Sequence, residues 1–245
     1  VGELAISDHR SSQPTLEELL RIASEAHVGG LMSGKAGIVH LHLGDGPRGL
    51  DLVRRALATS ELPARTFNPT HVNRRRALFE EALELAEKGC HIDITAFPVD
   101  EGEDAWSAAD ALQRYLESGA PLQHVTISSD AGGCLPCFDA EGRLSHMDVG
   151  TPGALIDTLQ ILLGRGLPLE RILPAFTSNS AELLRLPRKG KIEVGGDADL
   201  LVLNRDARLT DVLLGGQWQL RDGFSLRRGP FEPLPSATHS KNGSH

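Results

Sequence analysis

GIVHLHLGDGP (37–47) decides the fold. GIVHLHL is a short apolar run with β-branched residues, GDGP ends it, and Pro47 stands where a first helical turn begins ahead of LDLVRRALA (50–58). This is strand, loop, helix. The same order appears upstream, where VGELAIS (1–7) reads as the end of a buried strand and Thr15 and Glu18 have capping-box spacing at the start of a helix. It repeats downstream in three further strands. ARTFNPTH (64–71) precedes a helix predicted from about Asn73 through Glu87, HIDITAF (91–97) precedes DAWSAADALQRYLESG (104–119), and HVTISSD (124–130) precedes a long loop. Then come a helix over TPGALIDTLQILLG (151–164), capped by Thr151 with Pro152 in first position, and a second helical stretch from Pro168 to Leu186.

Strands that alternate with amphipathic helices and are apolar nearly throughout imply a parallel sheet covered on both faces, so the class is α/β. From about Gly190 short β-branched runs separated by Gly and Asp replace this grammar, which predicts antiparallel β-structure. The predicted organisation is a βα region over 1–189, a small β-segment over 190–230 and a disordered tail over 231–245.

The chain has 245 residues, a formal net charge of −8, 40% hydrophobic and 24% charged residues, so a core can form. The acidic balance argues against nucleic acid or an anionic membrane surface as partner and favours a small-molecule substrate. No apolar run approaches the ~18 residues of a membrane span, and the first residues lack the order of a signal peptide. Three cysteines make no disulfide framework, which fits a reducing cytoplasm.

Three strand runs end in a metal-type ligand: His42, His71 and Asp130. Their separations, 71 − 42 = 29 and 130 − 71 = 59, are about one and two βα units of an eight-fold barrel, whose active site lies at the C-terminal strand ends. Residues in equal phase converge on one pocket. Two imidazoles and a carboxylate suit Zn²⁺, which makes a nucleophile of bound water at neutral pH. A lone strand-end histidine is most often structural, and the agreement in phase is what raises these three. Glu3, at the end of the first strand run, is in similar phase and could bridge two metals. Arg10 and Arg74 follow strand ends closely and could clamp a carboxylate by paired hydrogen bonds. His40 shares the strand with His42 but sits deeper; His91 and His124 open strands at the opposite end and read as structural. The single CLPC (134–137) reads as free thiols lining or covering the pocket.

AISDHRSSQPT (5–15), HLGDG (42–46), NPTHVNR (68–74), IDIT (92–95), VTISSDAGG (125–133) with CFDAEGRLSH (137–146), and GKIEVGGDADLLVL (190–203) together resemble the isoaspartyl (β-aspartyl) dipeptidases of the amidohydrolase superfamily. The match runs in order from about residue 1 to 223, and NPTHVNR and SDHRS are particular to that family. The resemblance implies a metal-dependent (β/α)₈ TIM-like barrel, here its second half, with a small β-sandwich element at the C-terminus. It implies hydrolysis of the isopeptide bond of β-aspartyl dipeptides by a metal-bound hydroxide at a binuclear zinc site. His42 and His71 match the two histidines of the more exposed zinc, Asp130 the aspartate that binds the other zinc and moves the proton, and Arg10 and Arg74 the arginines that hold substrate carboxylate. Glu3 takes the place of a carbamylated lysine and is expected to bridge without that modification. Cys134 stands where a substrate-contacting serine is expected. The family's first-strand HxH pair, amine-recognising glutamate and tyrosine match no residue here, so the chain on its own is expected to be poorly stable or inactive, and the full-length form is expected to be a homo-oligomer. Two other readings are a dihydroorotase- or D-aminoacylase-type amidohydrolase, separated by β-aspartyl turnover, and a non-catalytic half-barrel that binds a small acid or partner chain, separated by metal content.

Overall fold

The five strands open with β1 (Leu4–Ala5), followed by the helix α1 (Leu16–Ser33). Next come β2 (Val39–His42), α2 (Asp51–Thr59), β3 (Phe67–Thr70), α3 (Arg76–Glu87), β4 (Ile92–Thr95), α4 (Ala108–Ser118) and β5 (Val125–Ser128). The computed structural model describes residues 1–138 and 143–227. It comprises two compact units, Val1–Gly196 and Asp197–His245. The tail over 231–245, expected to be disordered, lies outside the described residues.

In the first unit β1, β2 and β3 form a parallel ladder, Ala5 opposite His42 and His42 opposite Thr70, and β4 pairs in parallel with β5. Side chains bridge β3 to β4: Asn68 Nδ2 donates to His91 O at 2.9 Å and Thr70 Oγ1 to Asp93 Oδ2 at 2.7 Å. Five parallel strands therefore follow one another in chain order, as in an arc of a βα barrel. The core between strands and helices is filled by Phe67, Phe79, Leu85, Ile92, Ile94, Leu112 and Tyr115, all fully buried. Burying such side chains is worth about 1.5–3 kcal/mol each.

The capping signals of α1 hold, whereas the helix after Pro47 begins only at Asp51, and Thr151 does not cap the helix over Gly153–Gly164, whose N-cap is Pro152 without a side-chain hydrogen bond. Thr15 accepts from the Glu18 N–H while Glu18 Oε2 accepts from the Thr15 N–H at 2.8 Å, and Gly34 closes α1 with a left-handed φ of 72°. Three further elements differ from expectation. The stretch from Asn73 to Glu87 is not one helix: a 3₁₀ turn over Val72–Arg74 precedes α3, and Arg75 between them is extended. The long loop after Asp130 contains a hairpin, β6 (Cys134–Phe138) and β7 (Leu144–Val149). Pro136 argues against a strand in sequence, but a two-stranded ribbon has free edges that tolerate it. Past α5 (Gly153–Gly164), which begins one residue after Pro152, the stretch from Pro168 to Leu186 divides into α6 (Leu169–Phe176) and α7 (Ser178–Leu183) at Thr177, whose φ of −135° and ψ of −86° are not helical.

The second unit holds β8 (Leu200–Leu203), β9 (Leu209–Leu214), β10 (Gln217–Arg221) and β11 (Phe224–Ser225) in one antiparallel sheet in the order β11-β10-β9-β8.

Candidate metal centre

Parallel register sets the site. Leu4 lies opposite Leu41 and Ala5 opposite His42, so Glu3 directly precedes β1 and stands two residues below the level of His42 rather than at the strand's C-terminal end. Glu3 and Ala5 share a face, and Ala5 between them offers only a methyl. The Glu3 carboxylate thus reaches His42, with Oε1 3.5 Å from Nδ1. His71 follows β3 directly in the left-handed conformation, φ 60° and ψ 27°, and its Nε2 lies 3.4 Å from the same Glu3 oxygen. The two imidazoles meet edge to face with centroids 4.7 Å apart.

The environment keeps Glu3 ionised. The adjacent imidazoles, His42 first and His71 second, hold its carboxyl well below the usual carboxylate range. His42 is shifted up in return, by Glu3 first and with Asp8 adding to it. On its far side His71 Nδ1 lies 2.8 Å from Thr95 Oγ1, so Nε2 is the nitrogen left to face Glu3. Asn73, fully buried, fixes that end of β4: Nδ2 donates to Thr95 O at 2.9 Å and Oδ1 accepts the Thr95 N–H at 2.9 Å.

One carboxylate and two imidazoles, all three ligand atoms within 4.8 Å of one another, could hold a metal ion. Zinc ligands lie about 2.0–2.1 Å from the ion, which in a tetrahedron separates donor atoms by roughly 3.3–3.5 Å. The two separations from Glu3 Oε1 match those edges, so the donor set and its spacing fit zinc. A second cluster, Asp8, His9 and Asp45, is closed by its own hydrogen bonds: His9 Nδ1 lies 2.9 Å from both Asp45 oxygens, and Asp8 is occupied by Arg10.

Asp130, half-buried beyond the end of β5 with a left-handed φ of 48°, is not among the clustered donors. Arg74 lies within electrostatic reach of Asp130, Asp8 and Glu3, donates Nη1 to Leu43 O at 3.1 Å, and has its pKa lowered by burial and then by Arg10. Arg10 is paired with Asp8 through Nε at 3.1 Å and Nη2 at 2.9 Å. Cys134 is an exposed free thiol, and Cys90 is buried with its thiol pushed up to about 12 by desolvation. His40 is held by Asn68 Oδ1 at 2.7 Å, and His124 by Ala86 O at 2.7 Å with its ring edge-on to His91. Sequence reading missed Asp8, Asn73 and Thr95, which act through other residues.

Parallel strands with outer helices in this order form part of the TIM-barrel-like fold of the metal-dependent hydrolase type. The amidohydrolase family model matches residues 36–219, and the chain belongs to that family. It is similar to the β-aspartyl dipeptidase of the thermophilic keratin degrader Fervidobacterium islandicum AW-1. The structure of that enzyme in complex with β-Asp-Leu dipeptide superposes with a TM-score of 0.84 and 43% identity, covering 95% of this chain and 60% of that one. A second structure of that enzyme gives a TM-score of 0.81 and 40% identity over 95% of this chain and 58% of that one. An allantoinase of Deinococcus radiodurans is 28% identical over 190 residues, 69% of this chain and 42% of that protein. The chain thus spans about 60% of the length of the dipeptidases it resembles. Among the described residues no helix is long and apolar enough to cross a membrane.

Proposed function

We propose that this chain belongs to an enzyme that hydrolyses the isopeptide bond of β-aspartyl dipeptides, with zinc held by Glu3, His42 and His71. The observation that carries this reading is the convergence of two imidazole nitrogens on one carboxylate oxygen at 3.4 and 3.5 Å. Likeness to the Fervidobacterium dipeptidase supports the substrate class.

When bound, zinc would polarise the scissile carbonyl and lower the pKa of water at the site. Glu3 supplies the negative charge that offsets the cation, and its second oxygen suits it to bridging a second one without carbamylation. Thr95 orients His71 through the hydrogen bond between its Oγ1 and His71 Nδ1. Arg10 and Arg74 hold the substrate carboxylate, for which a planar guanidinium is the best match. Asp130 takes a proton from the attacking water and delivers it to the leaving amine. Cys134 faces substrate in place of a serine. The small acidic-substrate chemistry and the few cysteines fit a cytoplasmic enzyme.

The test is zinc per chain by elemental analysis, with hydrolysis of β-Asp-Leu measured on the same sample. The wild-type chain is expected to retain zinc and Glu3→Gln to lose one metal equivalent together with any turnover. A wild-type chain without zinc, or unchanged metal content in Glu3→Gln, overturns the reading.

A further inference from the structure

SDHR (7–10) and HLGDG (42–46) meet through reciprocal hydrogen bonds: Ser7 Oγ donates to Gly46 O at 2.8 Å and the Gly46 N–H donates to Ser7 O at 2.8 Å. This docking buries Asp8, whose side chain is 1% exposed. The carboxylate lies against Gly44, where a Cβ would stand 2.0 Å from Oδ2 and 2.3 Å from Cγ, so only glycine leaves it room. Both oxygens are engaged. Oδ1 accepts from the Arg10 N–H at 2.7 Å and Nε at 3.1 Å, and Oδ2 accepts from Arg10 Nη2 at 2.9 Å and faces His42 Nε2 at 3.0 Å.

We propose that Asp8 is a positioning residue that fixes the tautomer of His42, keeping the ring proton on Nε2 so that the Nδ1 lone pair faces Glu3. A carboxylate held by a guanidinium is an acceptor only, so the nitrogen at hydrogen-bond distance from it must carry the proton. The other nitrogen, 3.5 Å from Glu3, lies beyond the usual N–H···O range. The Thr95 hydroxyl beside His71 can donate or accept, so it imposes no tautomer by itself. Asp8 imposes one on His42. The same carboxylate aligns the Arg10 fork, so one buried group orients both a ligand for the cation and an arginine for the substrate. In its consequence for zinc this rests on the reading above; the tautomer does not.

The measurement is ¹⁵N-histidine NMR of the metal-free chain, at a pH where the imidazoles are neutral, paired with a zinc competition titration. Wild-type His42 is expected to be protonated at Nε2, and Asp8→Ala to relax it to a mixture of tautomers with unchanged circular dichroism. Zinc affinity is expected to fall about 10- to 100-fold in Asp8→Ala, the range for losing an outer partner of a ligating histidine. Asp8→Asn, which keeps one acceptor oxygen, is expected to fall between the two. Gly44→Ala, which displaces the carboxylate without removing it, is expected to shift the tautomer in the same direction. A wild-type His42 protonated at Nδ1 overturns the proposal even if every variant misfolds, and so does zinc affinity in Asp8→Ala within twofold of wild type. A wild-type chain that binds no zinc overturns the metal reading instead, and the NMR result then decides this one.

Discussion

His91 opens β4 with its Nδ1 buried and unpartnered, and its pKa is pushed down to about 4 by burial and then by His124, with Glu182 pulling weakly the other way. In the unfolded chain the same imidazole titrates near its ordinary 6.5. Above that pH both states are neutral and His91 contributes no pH dependence. Between 6.5 and 4 the unfolded chain binds a proton that the folded chain refuses, so stability falls as pH falls, and below about 4 the loss is complete. The gap of 6.5 − 4 = 2.5 pH units sets a ceiling of about 3 kcal/mol, and because His91 is only partly buried, solvent screening brings this to about 1–2 kcal/mol. Urea unfolding followed by circular dichroism, at several pH values across that window, should give a falling midpoint in wild type and a shallower fall in His91→Phe, which has a ring of similar size and no proton to gain. His91→Phe should not be less stable near neutral pH, since it removes an unpaired buried nitrogen. Parallel pH profiles for the two proteins would refute the reasoning.

Asp93 is buried and accepts three hydroxyls, from Thr70 at 2.7 Å and from Thr126 and Ser128 at 2.6 Å each. Asp93→Ala leaves Thr70 and Ser128 without their acceptor and Thr126 with only Ile92 O at 3.4 Å, and should cost about 3–5 kcal/mol in urea unfolding; a loss under about 1 kcal/mol would mean that water or rotation replaces the carboxylate. Thr15→Ala breaks the capping box of α1 and should lower stability by about 1 kcal/mol in the same assay, without changing zinc content.

The alternation of β-branched runs with capped amphipathic stretches was enough to place five parallel strands, because both signals are local. Thr15 and Gly34 mark α1 by the chemistry of their own backbone positions. What escaped reading depends on tertiary context. The hairpin of β6 and β7 carries a proline that only its free edges allow, and the break at Arg75 lies within RRR (74–76), which reads as the opening turn of a helix.

The site divides along the same line. His42 and His71 were legible because a βα unit has a nearly fixed length, so 29 residues bring a ligand back to the same phase on the next strand. Glu3 was legible as a residue but not in its level: the register of β1 against β2, which no spacing reveals, sets it two residues below the strand end, and side-chain length makes up the difference. Asp8 lacks any periodic signal, since its role arises only when its loop docks on the one after β2. A faint mark of it survives in Gly44, a glycine within HLGDG that neither a turn nor a helix cap requires. A glycine beside a strand-end ligand, in a chain that also carries an Asp-x-Arg loop, is therefore a pattern to seek where a buried carboxylate must come close to the backbone.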